Sequence, residues 1–240
     1  GVDTVFGVPG ESYLALLDAF LDTPQIRFVT CRQEGAAAMT AEATGKLTGR
    51  PGVCVVTRGP GATNASAGMH IAFQDSTPLV LLIGQVPRGF RGREAFQEID
   101  YRHMYGEMAK WIAEIDDPAR VPELVARAFH TAVSGRPGPV VLVLPEDMLA
   151  EHVVVSDTEP YKLSVPHPGL TEMTELREGL AAAARPLMII GGGGWNEQAV
   201  QQVQSFAEAN NLPTCASYRC QSFFNSGHQN YVGHAGHGID

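Results

Sequence analysis

Arg27-Phe28-Val29-Thr30-Cys31-Arg32-Gln33-Glu34-Gly35-Ala36-Ala37-Ala38-Met39 and Val53-Cys54-Val55-Val56-Thr57-Arg58-Gly59-Pro60-Gly61-Ala62-Thr63-Asn64 decide how this 240-residue chain folds. Each is a short β-rich run that breaks into a helix-forming run. The first break carries a carboxylate, Glu34; the second carries a Gly-Pro-Gly turn. Residues 53–57 are nearly all apolar, as a parallel strand covered on both faces should be. Ligands bind at the carboxyl ends of strands in an open parallel sheet. Both breaks are therefore expected to open on one sheet edge, with Glu34 aimed into the crevice. The fold class expected is α/β: a parallel sheet flanked by helices, followed by a truncated second α/β domain.

Outward from this pair the alternation continues. Residues 2–6 read as a strand, and Gly7-Val8-Pro9-Gly10 as a turn. Ser12 is placed to N-cap a helix over 13–21, in which Leu14, Leu17 and Leu21 recur at helical spacing. Strand 26–32 leads to an alanine-rich helix over 35–47, and strand 53–57 to a helix over 62–73. Residues 79–83 form another buried-type strand. Residues 84–105 read as irregular and too long for a simple connector, which favours a functional loop. A helix over 121–133 presents Leu124, Val125, Ala128 and Phe129, and 140–144 is the last strand of a first domain spanning 1–148. Residues 149–169 lack periodicity and read as a linker. A second unit, 170–240, follows with helix 171–184, strand 187–190, Gly191-Gly192-Gly193-Gly194-Trp195, helix 196–210 and strand 213–217.

Composition narrows the class. A hydrophobic fraction of 44% supplies a core, and a net charge of −9 argues against nucleic acid or an anionic membrane surface as partner. No apolar run reaches the roughly 18 residues of a membrane span, and no signal peptide is visible. The four cysteines are scattered, and Cys31 and Cys54 fall inside predicted strands, so reduced, buried thiols and a cytoplasmic location are expected. Cys215 and Cys220 do not have zinc spacing. No metal ligands are expected in this chain.

Six motifs in order carry a family resemblance across the first two thirds of the chain. They are Phe6-Gly7-Val8-Pro9-Gly10, the Glu34 segment, Gly59-Pro60-Gly61-Ala62-Thr63-Asn64, Gly84-Gln85-Val86-Pro87-Arg88, Ala95-Phe96-Gln97-Glu98 and Ser134-Gly135-Arg136-Pro137-Gly138-Pro139-Val140. This series resembles the pyrimidine-binding domain of thiamine-diphosphate enzymes, acetolactate (acetohydroxyacid) synthases above all. The resemblance implies decarboxylation of a 2-oxo acid and ligation of the resulting carbanion to a second carbonyl, as in branched-chain amino acid biosynthesis. It implies that Glu34 hydrogen-bonds N1′ of the aminopyrimidine and favours the imino tautomer. The protein then supplies positioning and proton control while the cofactor carries the hard step. Such a glutamate should sit in a dry pocket with a raised pKa. The plainer reading of Glu34 is a first-turn acid favoured by the helix dipole.

By the same resemblance Gln97 is catalytic beside the cofactor. Pro9, Gly10, Thr57, Gly59, Pro60, Asn64 and Arg136 are cofactor-side residues, with Arg136 near FAD in flavin-containing relatives. Glu11, Phe96 and Lys110 border the substrate pocket. Each has a plainer reading: Asn64 satisfies local backbone groups, Arg136 is a polar turn residue, and Arg88, Arg91 and Arg93 form a solvated loop. Glu11 stands where the synthases have a second glycine, which either brings a charge to the pocket mouth and puts pyruvate in doubt, or simply faces solvent.

The four glycines at 191–194 do not have the Gly-x-Gly-x-x-Gly spacing. Resemblance places them in a central domain that binds FAD in some relatives, and makes 233–238 a glycine-rich loop touching FAD; isolated His234 and His237 make a weak metal pair. The family's Gly-Asp-Gly magnesium motif does not occur in this sequence, so Mg²⁺ ligands must come from elsewhere. Both ends look cut. Residues 1–240 alone are expected to be inactive, and the intact protein to be a homodimer or homotetramer with the cofactor between subunits. The rivals are a thiamine-dependent decarboxylase or lyase acting on another 2-oxo acid, a nucleotide-binding oxidoreductase, and a non-catalytic paralogue.

Overall fold

The computed structural model describes residues 1–162 and 165–236. They form two compact units, Gly1–Ser164 and Val165–Asp240. The first contains a six-stranded sheet in the order β2-β1-β3-β4-β6-β5, with every neighbouring pair parallel. Its strands are β1 (Thr4–Gly7), β2 (Arg27–Thr30), β3 (Gly52–Val56), β4 (Leu79–Gln85), β5 (Trp111–Glu114) and β6 (Pro139–Pro145). The helices are α1 (Leu14–Leu21), α2 (Glu34–Thr48), α3 (Pro60–Asp75), α4 (Tyr101–Tyr105), α5 (Val121–Val133) and α6 (Glu146–Leu149).

Helices cover both faces, and the alternation of strand side chains explains how. Cys54 and Val56 of β3 face a core made with Ala37, Ala38 and Ala41 of α2, Ala65 and Met69 of α3, and Tyr101 and Tyr105 of α4. Val53 and Val55 face Tyr13 and the partly buried Leu16, Leu17 and Phe20. On that second face Leu124 and Ala128 of α5 and Met148 of α6 pack on β4 and β6 through Val80 and Leu142. β3, β4 and β6 are thus buried on both sides, which is why they read as unbroken apolar runs. Small residues let α2 and α3 nearly touch: a methyl added at Gly68 would lie 2.6 Å from Ala38 Cβ.

Several sequence expectations change here. Ser12 does not cap α1: residues Glu11–Tyr13 form a 3-10 turn, and Ser12 is fully buried with its Oγ 2.8 Å from Thr57 Oγ1. Tertiary contact has claimed a residue whose local signal was a cap. The strand β5 was not expected. It is only four residues long at the sheet edge, yet pairs with β6 in register, Trp111 opposite Val140. The stretch expected to be irregular to residue 105 ends in α4, capped by Asp100, whose carboxylate accepts from the N–H groups of Arg102 and His103. Cys31 lies just past β2 and is half-buried, whereas Cys54 is fully buried within β3. All four cysteines are free.

The second unit holds α7 (Leu170–Ala182), α8 (Glu197–Ala209) and a parallel three-stranded sheet ordered β7 (Met188–Ile190), β8 (Thr214–Ser217), β9 (Tyr231–Ala235). Ile190, Ala207, Ala216 and Phe224 make its core, with Trp195 stacked on Phe223 at 5.1 Å between centroids. Residues 233–235, expected in a loop, belong to β9, where His234 and Ala235 pair with Ala216 and Ser217 of β8. His234 is exposed on that strand; His237 and Gly238 lie outside the described residues.

Candidate functional site

The strand order locates the crevice. From β1 the chain steps to one side to make β2, then recrosses β1 to make β3 and continues outward on the other side. The direction of winding reverses between β1 and β3, and the carboxyl ends of the strands at such a switch point are where an open α/β sheet binds ligands. The two turns that flank it are residues 7–10 and 57–61. They lie against each other: a methyl on Gly10 would lie 2.6 Å from Thr57 Cβ. Tyr13 fixes the first turn by donating its hydroxyl to the Val8 carbonyl.

Glu34 is the first residue of α2, so its carboxylate sits at the positive end of the helix dipole. Gln33 caps that helix, its side-chain oxygen accepting the Ala36 N–H at 2.9 Å. The carboxylate reaches across to α3: Asn64 Nδ2 donates to Glu34 Oε2 at 2.9 Å. A methyl on Gly61 would lie 3.4 Å from Glu34 Oε1. The acid at the tip of the second βα unit therefore borders the proline-containing bend of the third. It is half-buried, and Asn64, Pro9 and Pro60 are exposed along the same edge. In this chain the pocket expected to be dry is an open crevice.

Gly59 shows why glycine stands in the bend. Its φ of 63° and ψ of −115° strain any residue with a side chain, and an added methyl would lie 2.7 Å from Gln97 Cβ and 3.0 Å from the Gln97 carbonyl. Gln97 itself has a positive φ of 66°. The loop after β4 thus lays Gln97 on the bend. Phe96, next to it, is 75% exposed. Two tyrosines of α4 pin the loop's far end: Tyr101 Oη accepts the Gly59 N–H at 2.9 Å, and Tyr105 donates to the Ala62 carbonyl. Both are buried, and burial raises both phenol pKa values, that of Tyr101 to about 12. Neither carries charge at neutral pH. The Cys54 thiol beneath is likewise held protonated, first by burial and then by nearby Cys31 and Glu34.

Charged side chains brace the same edge. Arg58 is 8% exposed, with Nη1 2.7 Å from Glu146 Oε2 and Nη2 3.3 Å from Glu11 Oε1. Glu11 keeps 69% of its side chain in solvent, with one carboxylate oxygen 3.3 Å from Arg58 Nη2. Arg88 is not a solvated loop residue; it binds Asp147, Glu151 and the Asp116 carbonyl. Arg91 lies 2.6 Å from Glu114 at the end of β5. Arg93 is exposed. Tyr101 and Glu146 had no sequence motif to mark them, and Arg58, although within the Thr57–Asn64 stretch, had no role assigned; separations of 42 residues (Gly59 to Tyr101) and 88 (Arg58 to Glu146) exceed any local pattern.

Two candidates stand elsewhere. Lys110 precedes β5, and its amine donates to the carbonyls of Thr131 and Ser134 at the end of α5. Its backbone N–H binds Pro139 O at the start of β6. The lysine expected in the substrate pocket therefore lies at the amino edge of the sheet, roughly 20 Å of strand from the crevice, and burial lowers its pKa. Arg136 donates to Ser76 Oγ at 2.7 Å and to the Phe73 carbonyl, capping the far end of α3. A 16-residue helix separates it from the bend. Among the described residues no group of three or more His, Cys, Asp and Glu could hold a metal ion, and no helix is long and apolar enough to cross a membrane.

Comparison with known proteins adds the family. Residues 1–104 match the thiamine pyrophosphate enzyme N-terminal TPP binding domain, and residues 173–240 match the thiamine pyrophosphate enzyme central domain. The chain is 35% identical to the acetolactate synthase isozyme 2 large subunit of Escherichia coli K12, over 98% of this chain and 43% of that protein. It is 34% identical to an acetolactate synthase of Mycobacterium bovis, over 98% of this chain and 39% of that protein. It is 34% identical to a probable acetolactate synthase large subunit of Methanocaldococcus jannaschii, over 98% and 41%. The chain thus spans about two fifths of the length of these relatives. Two domains of one enzyme family matched in chain order, on a parallel α/β fold whose crevice is lined by Glu34, Asn64 and the Gly-Pro-Gly bend, place this chain among the thiamine pyrophosphate enzymes.

Proposed function

We propose that the protein to which these residues belong is an acetolactate-synthase-like enzyme that decarboxylates a 2-oxo acid and joins the remaining fragment to a second carbonyl. One observation carries this reading: the Glu34 carboxylate, oriented by Asn64 at 2.9 Å, borders the bend at Gly61 on the switch-point edge of the sheet. The residues present fit the pyrimidine half of thiamine diphosphate. Methyl groups at Gly59 and Gly61 would fill space close to Gln97 and Glu34, so side chains there would crowd the edge a flat ring must approach.

Glu34 is read as the hydrogen-bond partner of the ring nitrogen N1′, and Asn64 as the group that holds its rotamer. Gln97 and the backbone of the bend are read as the wall beside the ring, with Pro9, Gly10, Thr57 and Pro60 forming its rim. When bound, the thiamine group supplies the carbon nucleophile; this chain holds the ring and governs one proton at Glu34. Residues 1–148 are read as the pyrimidine-binding domain, 149–169 as the linker and 170–240 as the start of the central domain. Magnesium ligands and the diphosphate site are assigned to sequence outside these residues, a second copy of the chain to the other side of the crevice, and a reducing cytoplasm to its four free thiols. Lys110 and Arg136 are left out of the thiamine site.

The acyl donor is less narrowly drawn. Glu11 stands where the synthases it resembles have glycine, and its pairing with Arg58 supports a 2-oxo acid other than pyruvate as a second reading. The test is Glu34→Gln in the full-length protein. Turnover of 2-oxo acids is expected to fall by at least about a hundredfold, the size of an acid–base contribution, with circular dichroism and melting unchanged. Retention of full turnover would overturn the reading.

A further inference from the structure

We infer that Tyr101 is a positioning residue for the cofactor-side bend, holding the Gly59 peptide and the Gln97 loop in one arrangement through the hydrogen bond it accepts from the Gly59 N–H. The inference rests on the reading of the crevice as a thiamine site and extends it to a residue outside every motif of that site.

Three observations meet at this tyrosine. Gly59 adopts φ 63° and ψ −115°; its carbonyl accepts from Thr63 within α3, and its N–H donates to Tyr101 Oη at 2.9 Å. Tyr101 is 2% exposed, packed in the core shared by α2 and α3, so its hydroxyl has no water to exchange with. It also opens the short helix that ends the loop carrying Gln97, four residues earlier. That helix is anchored twice more, by the Asp100 cap and by Tyr105 on the Ala62 carbonyl. One phenol oxygen therefore couples the two backbone segments that wall the crevice. A buried N–H left without an acceptor is costly, so without this oxygen the Gly59 peptide would turn to find another partner. The plane of the bend, and the Gln97 wall resting on it, would move with it.

Tyr101→Phe keeps the ring and removes the acceptor. In the full-length protein, hydrogen exchange of the peptide spanning residues 57–62, followed by mass spectrometry, is expected to speed up at least about fivefold, the lower end of what losing one buried acceptor does. Affinity for thiamine diphosphate with Mg²⁺, measured by calorimetry, is expected to weaken about five- to tenfold on the same ground. Thr77→Val, which loses a buried hydroxyl bonded to Glu42 at 2.9 Å beside the start of β4, at the sheet edge away from the crevice, serves as the comparison: it should lower the melting temperature and leave exchange at 57–62 and cofactor affinity unchanged. Unchanged exchange at 57–62 in Tyr101→Phe overturns the inference, as does equal weakening of cofactor binding in both variants, which would make Tyr101 merely structural. If the wild-type protein binds no thiamine diphosphate, the reading of the site itself fails and the cofactor part of the inference falls with it, whatever the exchange shows.

Discussion

Replacing Gly59 by alanine measures how tightly the bend and the Gln97 loop are fitted together. Two costs add. The backbone at φ 63°, ψ −115° lies where a side chain is strained by roughly 1–3 kcal/mol. The new methyl would sit 2.7 Å from Gln97 Cβ, 3.0 Å from its carbonyl oxygen and 3.2 Å from its Cα. Two of those three atoms are backbone, so no rotamer change relieves the contact, and overpacking of this kind costs roughly 1–3 kcal/mol more. Partial retreat of the loop makes about 3 kcal/mol the expected sum. In a unit of about 164 residues that lowers the melting temperature by roughly 6–12 °C. Gly49→Ala separates the two costs. Gly49 also has a positive φ, 68°, but nothing lies within 4 Å of an added methyl, so only backbone strain of about 1 kcal/mol remains. Scanning calorimetry of both variants gives the answer. Gly59→Ala should also speed trypsin cleavage after Arg91, which is held by Glu114 in the seated loop. A Gly59→Ala protein no less stable than Gly49→Ala would refute the claim that Gln97 is seated on the bend.

Two more outcomes follow from the charged groups. Lys110→Met removes the donor to the last carbonyls of α5 and should cost about 1 kcal/mol of stability in denaturant titration, while thiamine diphosphate affinity and the Michaelis constant for the 2-oxo acid stay as they were; a raised Michaelis constant would return Lys110 to the substrate pocket. For Asp147, burial pulls the carboxyl pKa up, but hydrogen bonds from the Arg88 N–H and guanidinium pull it down by more, leaving it below the ordinary 3.8. A depressed carboxyl stabilises the fold fully above its unfolded value and loses that contribution as pH falls through its folded value, so Asp147→Asn should flatten the acid side of the stability curve below about pH 4, and an unchanged slope there would show the Arg88 pairing to be inert.

Local signals carried much of the architecture. Val53–Val56 is apolar at every position because β3 is covered on both faces, and that is visible in the residues themselves. Gly-Pro-Gly after it marks a bend whose backbone at Gly59 strains any residue with a side chain. The acid opening α2 is likewise readable, since Glu34 comes shortly after a strand and precedes an alanine-rich helical run. What failed locally failed for identifiable reasons. β5 is four residues at an edge, too short to show a period. Ser12 has the chemistry of a cap, but lies where β1, β3 and β4 converge, and a methyl on Gly84 would lie 2.2 Å from its hydroxyl.

The sequence by itself therefore determined the alternation of strands and helices, the family, and the two breaks that matter most, because each depends on residues within a few positions of one another. Only the tertiary structure decided which distant side chains meet at the crevice. It joined Glu34 to Asn64, Gly59 to Tyr101 and Arg58 to Glu146, and it sent Lys110 and Arg136 to the opposite edge. The physical reason is strand order: β1 and β3 become neighbours only after β2 has been laid outside them, and no pattern along the chain fixes which turns that step brings together.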